Sequence, residues 1–356
     1  MAFEMNALRD SLLRITPLED EHLAKAKHRL DNLTKPVGSL GKLESIAVQY
    51  AAIKRSIDSP IGRRIIFTCA GDHGVVDRGV SAYPREVTVQ MVRNMLAGGA
   101  AVNVLARHVG AEVMVVDVGV AHDFAATEGL LIRKVGYGTN NITDGPAMSR
   151  EHALLSIKVG IDLVADCART GVDLIGTGEM GIGNTTPSSA ILSVLADIAP
   201  EDAAGRGTGI DTTALSQKID TITRAIAVNH PDPNDPVDVL AKVGGYEIGA
   251  IAGIIIGGAL YRIPVVVDGF ISTAGALVAT RLNPVINDYL FYSHLSAEAG
   301  HKRMLEALGH DPIMNLDMRL GEGTGAAIAI SIIEAAVKVM IGMATFESAH
   351  VDRMVD

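Results

Sequence analysis

Short runs of consecutive apolar residues alternate along this chain with longer segments rich in alanine and leucine. The runs are Ile65–Thr68, Val113–Val118, Val172–Ile175 and Pro264–Val267. Apolar runs of this length, separated by stretches long enough for a helix, are typical of strands in a parallel sheet that is buried on both faces. The pattern therefore predicts an α/β fold with a mostly parallel sheet flanked by helices.

Both ends of the chain have a helical pattern. Residues 1–56 read as helical, and Thr16-Pro17 suits the start of a helix over Leu18–Leu33. Near the other end, Ala326–Thr345 reads as a long buried helix.

Three glycines spaced by four residues lie in the apolar segment that follows Glu247. They are Gly249, Gly253 and Gly257, and this spacing puts them on one face of a helix. A face without side chains lets another backbone approach closely, so we expect it to pack tightly on the sheet or on a partner helix.

Polar or glycine residues follow each of the four predicted strands. They are Gly71–Gly74, Asp117–Gly119, Gly176–Glu179 and Asp268–Phe270. A single aspartate after a strand is usually a helix cap. Because ligands of open α/β sheets bind outside the carboxyl ends of the strands, four such sites together predict a shared cleft.

Charge and composition exclude several classes of function. A net charge of −10 argues against a general binder of nucleic-acid phosphates, and 4% aromatic residues argue against a base-stacking surface. The longest apolar run, Ile248–Tyr261, is too short to span a bilayer, and the N-terminus lacks the pattern of a secretory signal. Two cysteines, Cys69 and Cys167, form no disulfide framework or zinc pattern. We therefore expect a cytoplasmic protein that binds neither nucleic acid nor membrane.

One acidic residue lies among three glycines in the segment Met318–Gly325, just before the apolar run Ala326–Ile333. Glycine removes side-chain bulk, so a flat ligand can approach the backbone closely. An acid held there with little water near it would suit a general base. The alternative is a glycine-rich turn into a buried helix, with Glu322 near the helix dipole.

A second glycine-rich segment, Gly176–Pro187, follows a predicted strand and precedes a helical pattern over Ser188–Ala199. Pro187 suits the first helical position, and Thr185 or Thr186 suits the cap. Backbone N–H groups at a helix start can bind a terminal phosphate. The segment contains G-x-G-x-x-G, so a nicotinamide-dinucleotide-dependent oxidoreductase is an alternative. That fingerprint needs a second strand ending in an acid about 20 residues on, where this chain has a helical pattern. We therefore predict a mononucleotide phosphate site.

The sequence indicates no metal site and no other cofactor. No HExxH occurs, and His294 and His301 are seven residues apart. The acidic pair and Thr-Gly-rich loop of ordinary phosphoribosyltransferases are also missing. A ribose transfer here would need a leaving group that departs without a metal. A pyridinium base fits, because it leaves neutral from a cationic glycoside.

Several segments together resemble the nicotinate-nucleotide–dimethylbenzimidazole phosphoribosyltransferase family. The resemblance covers nearly the whole chain, and several long matches in the same order are more specific than one glycine loop. The matching segments are Lys35–Glu44, Ala70–Gly74, Gly178–Thr186, Lys242–Gly245, Asp268–Phe270, Ser293–Glu298 and Arg319–Gly325.

This resemblance implies a reaction, a fold and an assembly. The reaction is transfer of 5-phosphoribose from nicotinate mononucleotide to 5,6-dimethylbenzimidazole, which yields nicotinate and α-ribazole 5′-phosphate in cobalamin nucleotide-loop biosynthesis. The fold is a Rossmann-like sheet with a smaller helical domain built from both chain ends, and the protein is a homodimer. We expect the smaller domain to comprise residues 1–60 and 326–356, and the large domain residues 61–325.

The resemblance also implies the site residues. It implies that Glu322 is the catalytic base. Together with the phosphate site predicted in the segment Gly176–Pro187, it predicts a set of nucleotide- and phosphate-binding residues: Glu179, Gly181, Gly183, Asn184, Thr185, Lys218, Asp268 and Ser296.

The acceptor base is expected to lie against residues 81–95 and the turn Leu320–Gly323. In the first segment Val87, Met91 and Met95 recur at helical spacing, so they form either an apolar pocket face or part of the core. The predicted acceptor contacts are Tyr83, Gln90, Met91 and Leu320.

The identity of the acceptor is the least determined part of this interpretation. Some family members have Ser-Pro where this chain has Tyr83-Pro84, and Gln90 is displaced by one position from a family glutamine. Transfer to another lower-ligand base is therefore an alternative. A non-catalytic nucleotide sensor is the alternative from a different class of function.

Overall fold

The computed structural model describes residues 5–207, 209 and 211–352. Its centre is a six-stranded, fully parallel sheet in the order β3-β2-β1-β4-β5-β6. The strands are β1 (Arg63–Gly71), β2 (Glu112–Gly119), β3 (Leu130–Ile132), β4 (Val172–Met180), β5 (Val265–Val267) and β6 (Leu290–Tyr292). Strand β1 lies in the middle of the sheet. Strands β2 and β3 extend the sheet on one side of β1, and β4, β5 and β6 extend it on the other side. The predicted Rossmann-like sheet is confirmed.

Three of the four predicted apolar runs lie entirely in strands, and the fourth lies in β5 except for Pro264, which precedes it. The pattern missed β3 and β6, which lie at the edges of the sheet. Each of these is three residues long, as β5 is, but β5 is three valines between Pro264 and Asp268-Gly269. Without such a β-branched run and its flanking breaks, three apolar residues cannot be distinguished from part of a helix or a loop.

Helices surround the sheet, and the described residues form fifteen of them. They are α1 (Met5–Leu13), α2 (Asp20–Asp31), α3 (Lys42–Lys54), α4 (Val87–Leu96), α5 (Ala101–His108), α6 (Arg150–Arg169), α7 (Thr185–Ala196), α8 (Pro200–Ala203), α9 (Thr212–Asn229), α10 (Pro236–Val243), α11 (Tyr246–Tyr261), α12 (Phe270–Leu282), α13 (Ala299–Leu308), α14 (Thr324–Gly342) and α15 (Phe346–Ala349). Two 3₁₀ helices cover Gly74–Arg78 and Pro284–Tyr289.

The predicted start of the second helix was wrong. Helix α2 begins at Asp20, and Glu19 before it is extended, with φ −75° and ψ 131°. The Glu19 carboxylate binds Arg55 and, at 2.9 Å, Arg262. Glu19 is therefore the N-cap residue of α2, and its side chain makes two tertiary ion pairs that the Thr16-Pro17 signal does not reveal.

The glycine face of α11 packs directly against α6, as predicted. A β-carbon at Gly253 would lie 1.9 Å from the carbonyl oxygen of Ile157, and one at Gly249 would lie 2.0 Å from Oγ of Ser156. The two helix backbones therefore meet where any side chain would keep them apart.

The two ends of the chain pack on each other. Leu33 and Thr345 form an antiparallel bridge, and the Arg29 guanidinium donates to the carbonyls of Met340 at 3.0 Å and Met343 at 2.9 Å. These contacts support our proposal of a smaller helical domain built from both ends. Residues 1–4 and 353–356 of that domain lie outside the described residues.

Helix α14 joins this assembly to the sheet. It begins two residues before the predicted start and ends three residues before the predicted end. Among the described residues it alone is long and apolar enough to cross a membrane by length and composition, and half of that stretch is buried inside the fold. Core helices of soluble proteins meet the same criterion.

We expect Gly253→Ala to lower the free energy of unfolding by about 3 kcal/mol, because the new methyl group meets backbone that cannot move aside. The measurement is a denaturant titration. The matched control is Gly342→Ala at the end of α14, where a β-carbon has no neighbour within 4 Å. The control should be neutral or slightly stabilising. Similar losses in both variants would mean that helix propensity, rather than the α6–α11 contact, sets the effect.

Candidate active site

A cavity of about 420 Å³ lies at the carboxyl edge of the sheet. The loops that follow β4, β5 and β6 form much of its wall, and two other segments close its sides. Its lining includes Val80, Ser81, Tyr83, residues 179–185, residues 268–272, His294, Ser296, Glu298, Arg319, Leu320 and Gly321. The position is the one where open α/β sheets bind ligands.

Only two of the four predicted strand-end segments reach this cavity. Residues of the segments at the ends of β4 and β5 line it, whereas Asp117, near the end of β2, forms an ion pair with Lys134 at 2.8 Å. After β1, Asp72 accepts a hydrogen bond from the N–H of Ala121, and His73 lies 2.7 Å from Glu247. The predicted segments 71–74 and 117–119 therefore contact neighbouring parts of the fold instead of lining the cleft, and the connection after β1 reaches the cavity only further on, at Val80, Ser81 and Tyr83.

The glycine-rich segment has a different local structure from the predicted one. Strand β4 continues to Met180, so Gly176 and Gly178 lie inside a strand. The predicted cap was also wrong, because Asn184 occupies the N-cap position and Pro187 is the third residue of α7. The G-x-G-x-x-G spacing consequently forms no dinucleotide-binding turn here.

The loop Gly181–Thr185 lines the cavity at the N-terminus of α7. Gly183 has φ +88°, and a β-carbon there would lie 2.6 Å from Val76. Backbone N–H groups at a helix N-terminus attract anions. The loop thus has the geometry of a phosphate site.

Lys218 lies behind this loop and outside the cavity lining. Its Nζ donates to Oγ1 of Thr185 at 2.7 Å and to the carbonyl of Gly205 at 3.0 Å. Burial lowers the pKa of Lys218 to about 8. The positive charge of protonated Lys218 would therefore stabilise an anion bound to the loop, with Thr185 between the two.

Glu179 is buried at the end of β4 and faces the cavity. The Asn184 amide donates to its carboxylate, and the N–H of Glu322 lies 3.4 Å from its Oε1. Burial raises the pKa of Glu179 to about 8, and the charge of Asp268 adds to this rise. The protonated form of Glu179 is therefore favoured more than in an exposed glutamate.

Glu322 lies in a turn with an unusual backbone. Its φ is +66°, between Gly321 at +86° and Gly323 at +102°. The side chain is 6% exposed, and burial raises its pKa, although the backbone N–H of Val102 donates to the carboxylate and opposes this rise. Its Oε2 has no hydrogen-bond partner among the described residues. The neighbouring Gly321 lines the cavity, but the Glu322 carboxyl does not.

Asp268 holds the same turn from the end of β5. Its carboxylate accepts from the N–H of Gly323 at 3.2 Å and of Ala326 at 2.9 Å, and burial raises its pKa. Asp268, which is predicted to bind the nucleotide, thus also holds the start of α14 in place.

Ser296 lines the cavity and is supported by a histidine that the sequence interpretation missed. The N–H of Ser296 donates to Nδ1 of His301 at 2.8 Å, so Nε2 of His301 carries the proton and donates to Oγ1 of Thr273 at 2.9 Å. Burial lowers the pKa of His301 to about 3. His301 was considered only for metal spacing, and its actual neighbours are distant in sequence.

The structure brings two of the four predicted acceptor residues to the cavity, and all four stay predictions. Tyr83 and Leu320 line the cavity mouth and are 53% and 56% exposed. Gln90 is exposed on α4 and Met91 packs against the core, and neither lines the cavity. The buried face of α4 consists of Thr88, Val92 and Met95.

The buried face of α4 also makes a polar contact with the loop after β4. Oγ1 of Thr88 accepts from the N–H of Ile182 at 3.2 Å. Burial of Val92 and Met95 on the same face leaves Met91 at the side of the helix. Apolar spacing alone could not reveal that a threonine shares this face.

Among the described residues, no group of three or more His, Cys, Asp or Glu side chains is arranged to hold a metal ion. The buried acids of the site are instead held by backbone N–H groups, as at Asp268, and by the Asn184 amide.

A family model described as phosphoribosyltransferase matches residues 15–351. The nicotinate-nucleotide–dimethylbenzimidazole phosphoribosyltransferases of Geobacter sulfurreducens and Geotalea uraniireducens are 56% and 57% identical to this chain, and each alignment covers 98% of it and 99% of the relative. The crystal structure of CobT from Thermus thermophilus is 45% identical, with a TM-score of 0.90 over 94% of this chain and 100% of that one.

This chain belongs to the nicotinate-nucleotide–dimethylbenzimidazole phosphoribosyltransferase family. Membership in this family confirms the interpretation as a transferase, and it speaks against the dinucleotide oxidoreductase and the non-catalytic sensor.

The phosphoribosyltransferase should become less stable in acid partly through His301. Its pKa is about 6.5 unfolded and about 3 folded, so the unfolded state binds the extra proton and stability is lost as the pH falls below 6.5. Between pH 7.5 and pH 5 this effect is worth roughly 2 kcal/mol. Denaturant titrations at both pH values should show that His301→Gln lacks this part of the loss. An equal loss in both proteins would mean that His301 is not held neutral.

Proposed function

We propose that this protein transfers 5-phosphoribose from nicotinate mononucleotide to 5,6-dimethylbenzimidazole, releasing nicotinate and forming α-ribazole 5′-phosphate for the nucleotide loop of cobalamin. The observation that carries the proposal is that a phosphate loop and a buried turn bearing Glu322 meet at one edge of the sheet. The names and full-length identity of the relatives support the choice of substrates.

In this proposal the Gly181–Thr185 loop binds the phosphate of nicotinate mononucleotide. The N-terminus of α7 supplies oriented N–H groups, and Lys218 adds positive charge through Thr185. Glu179, Asp268 and Ser296 line the adjoining wall, where the ribose would lie. Because burial raises the pKa of Glu179, its protonated form is favoured, and in that form it can donate a hydrogen bond as well as accept one.

The chemical step needs one base and no metal. The bond between C1′ and the pyridinium nitrogen breaks, and its electron pair stays with nicotinate. One azole nitrogen of the acceptor bonds to C1′, and the proton of the other azole nitrogen passes to Glu322. Because burial raises the pKa of Glu322, its carboxylate is a stronger base than an exposed one.

The acceptor would enter between Tyr83 and Leu320. Both side chains are more than half exposed at the cavity mouth, so this part of the pocket has few fixed contacts. That openness favours tolerance of several flat bases. Transfer to another lower-ligand base is therefore the second candidate function. We further propose that the protein is a homodimer in the cytoplasm, as the family resemblance implies.

The proposed function is tested by incubating the protein with nicotinate mononucleotide, with and without dimethylbenzimidazole, and measuring free nicotinate and the riboside product. We expect nicotinate release only when the acceptor is present. Release without acceptor would indicate a hydrolase, and no release in either case would contradict the proposal.

Glu322→Gln keeps the shape of the side chain and removes the base. We expect kcat to fall by roughly 10² to 10⁴, the usual effect of losing a general base. The matched control is Glu306→Gln, where the glutamate is exposed and pairs with Arg303. The control should keep the parent rate. Turnover of Glu322→Gln within a few fold of the parent would remove Glu322 from this role.

The pH dependence of nicotinate mononucleotide binding tests Lys218. Its pKa of about 8 means that the charged form becomes scarce above pH 8, so the KM should rise roughly tenfold between pH 7 and pH 9. In Lys218→Met the KM should be high at both pH values. Lys242→Met, which removes an ion pair with Asp238, is the control. The same rise in Lys218→Met as in the parent would show that another group titrates.

A further inference from the structure

Three consecutive residues of the turn before α14 have positive φ, and the middle one is Glu322. Glycine adopts this conformation freely, but for a residue with a side chain the conformation costs free energy. Such a conformation persists only where the surrounding structure determines it. The contacts that hold Glu322 in place are therefore part of the site.

The strongest of these contacts comes from a residue that neither the sequence motifs nor the proposed function has used. Oγ1 of Thr68 donates to the carbonyl oxygen of Glu322 at 2.8 Å, and Thr68 is completely buried in β1. Valine has nearly the same shape as threonine and is common in buried parallel strands, so packing alone does not require a hydroxyl at this position. The hydrogen bond to Glu322 explains it.

The neighbouring strand is shaped to allow this bond. Gly178 of β4 is the register partner of Thr68, and a β-carbon at Gly178 would lie 2.2 Å from the Glu322 carbonyl oxygen. The carbonyl can therefore reach across β4 to Thr68 only because residue 178 lacks a side chain.

Two carboxyl groups also bind the backbone of the turn that carries Glu322. Glu179 faces the N–H of Glu322, and Asp268 accepts from the N–H of Gly323. Both of these residues line the cavity, so their substitution would disturb substrate as well as the turn. Thr68 does not line it, which makes Thr68 the contact that can be tested alone.

We propose that Thr68 is a positioning residue that fixes the backbone of Glu322 and so sets the position of its carboxyl group. The proposal rests on the proposed function of Glu322 as the base. A buried carbonyl that loses its donor is left unsatisfied, and the turn relaxes toward ordinary backbone angles. The base then moves while the phosphate loop stays in place.

The test compares Thr68→Val, Thr68→Ala and Thr68→Ser. We expect kcat of the valine and alanine variants to fall by ~10- to ~100-fold, the effect of a small misplacement of a reacting group. The KM for nicotinate mononucleotide should stay within about twofold, because the loop Gly181–Thr185 is untouched. Serine keeps the donor and should restore most of kcat.

Thr280→Val is the matched control, since Thr280 is also buried and donates to the carbonyl of Ala276 within its own helix. It should keep the parent kcat. If Thr68→Val does not fold, Thr68→Ala and Thr68→Ser still decide the question. An unchanged kcat in Thr68→Ala, or a serine variant as slow as the alanine variant, would overturn the proposal.

A double substitution separates this proposal from the proposed function. If Thr68 acts through the Glu322 carboxyl, adding Thr68→Val to Glu322→Gln should change kcat by less than about twofold. A full additional loss would overturn the positioning role. If kcat falls in Glu322→Gln but is unchanged in Thr68→Val, only the role of Thr68 is overturned. If kcat is unchanged in Glu322→Gln, the proposed role of Glu322 as the base is overturned.

Discussion

The turn that carries Glu322 packs directly on the backbone of β4, and the candidate site is built around that contact. It requires residues without side chains on both partners. A β-carbon at Gly178 would strike the Glu322 carbonyl, and one at Gly321 would lie 2.0 Å from Oε1 of Glu179. Gly325 is needed in the same way, because a β-carbon there would lie 2.0 Å from the ring of His294. The glycines around Glu322 thus serve protein packing.

Four carboxyl groups are buried near this contact with few cations to neutralise them. They are Glu179, Glu247, Asp268 and Glu322. Burial raises the pKa of Glu179, Asp268 and Glu322, because it penalises the charged carboxylates. The rise is opposed at Glu179 by the Asn184 amide and at Asp268 by backbone N–H groups. The electrostatics of the site therefore follow from burial and hydrogen bonding.

The sequence was sufficient to predict the parallel sheet, because four runs of consecutive apolar residues mark its central strands. It also singled out Glu322 and the loop after β4 as predicted site residues, since glycine clusters beside polar residues are local patterns. It failed where a contact distant in sequence decides the local structure. The sequence pattern of α4 did not show that Thr88 faces inward and accepts from the N–H of Ile182, which is 94 residues further along the chain. The helix start after β4 was missed for a local reason, because Asn184 takes the N-cap position while its side chain binds Glu179 and makes no cap hydrogen bond.

The close contact between α6 and α11 has an effect well beyond those two helices. It fixes the position of α11, whose first turn carries Glu247. Glu247 lies 2.7 Å from His73, and Nε2 of His73 is only 3.3 Å from where a β-carbon of Gly181 would be. The glycine face thus lets α11 lie where Glu247 reaches His73, and His73 in turn packs beside Gly181 at the edge of the cavity. The packing of two helices outside the cavity is in this way connected, contact by contact, to the loop that lines it.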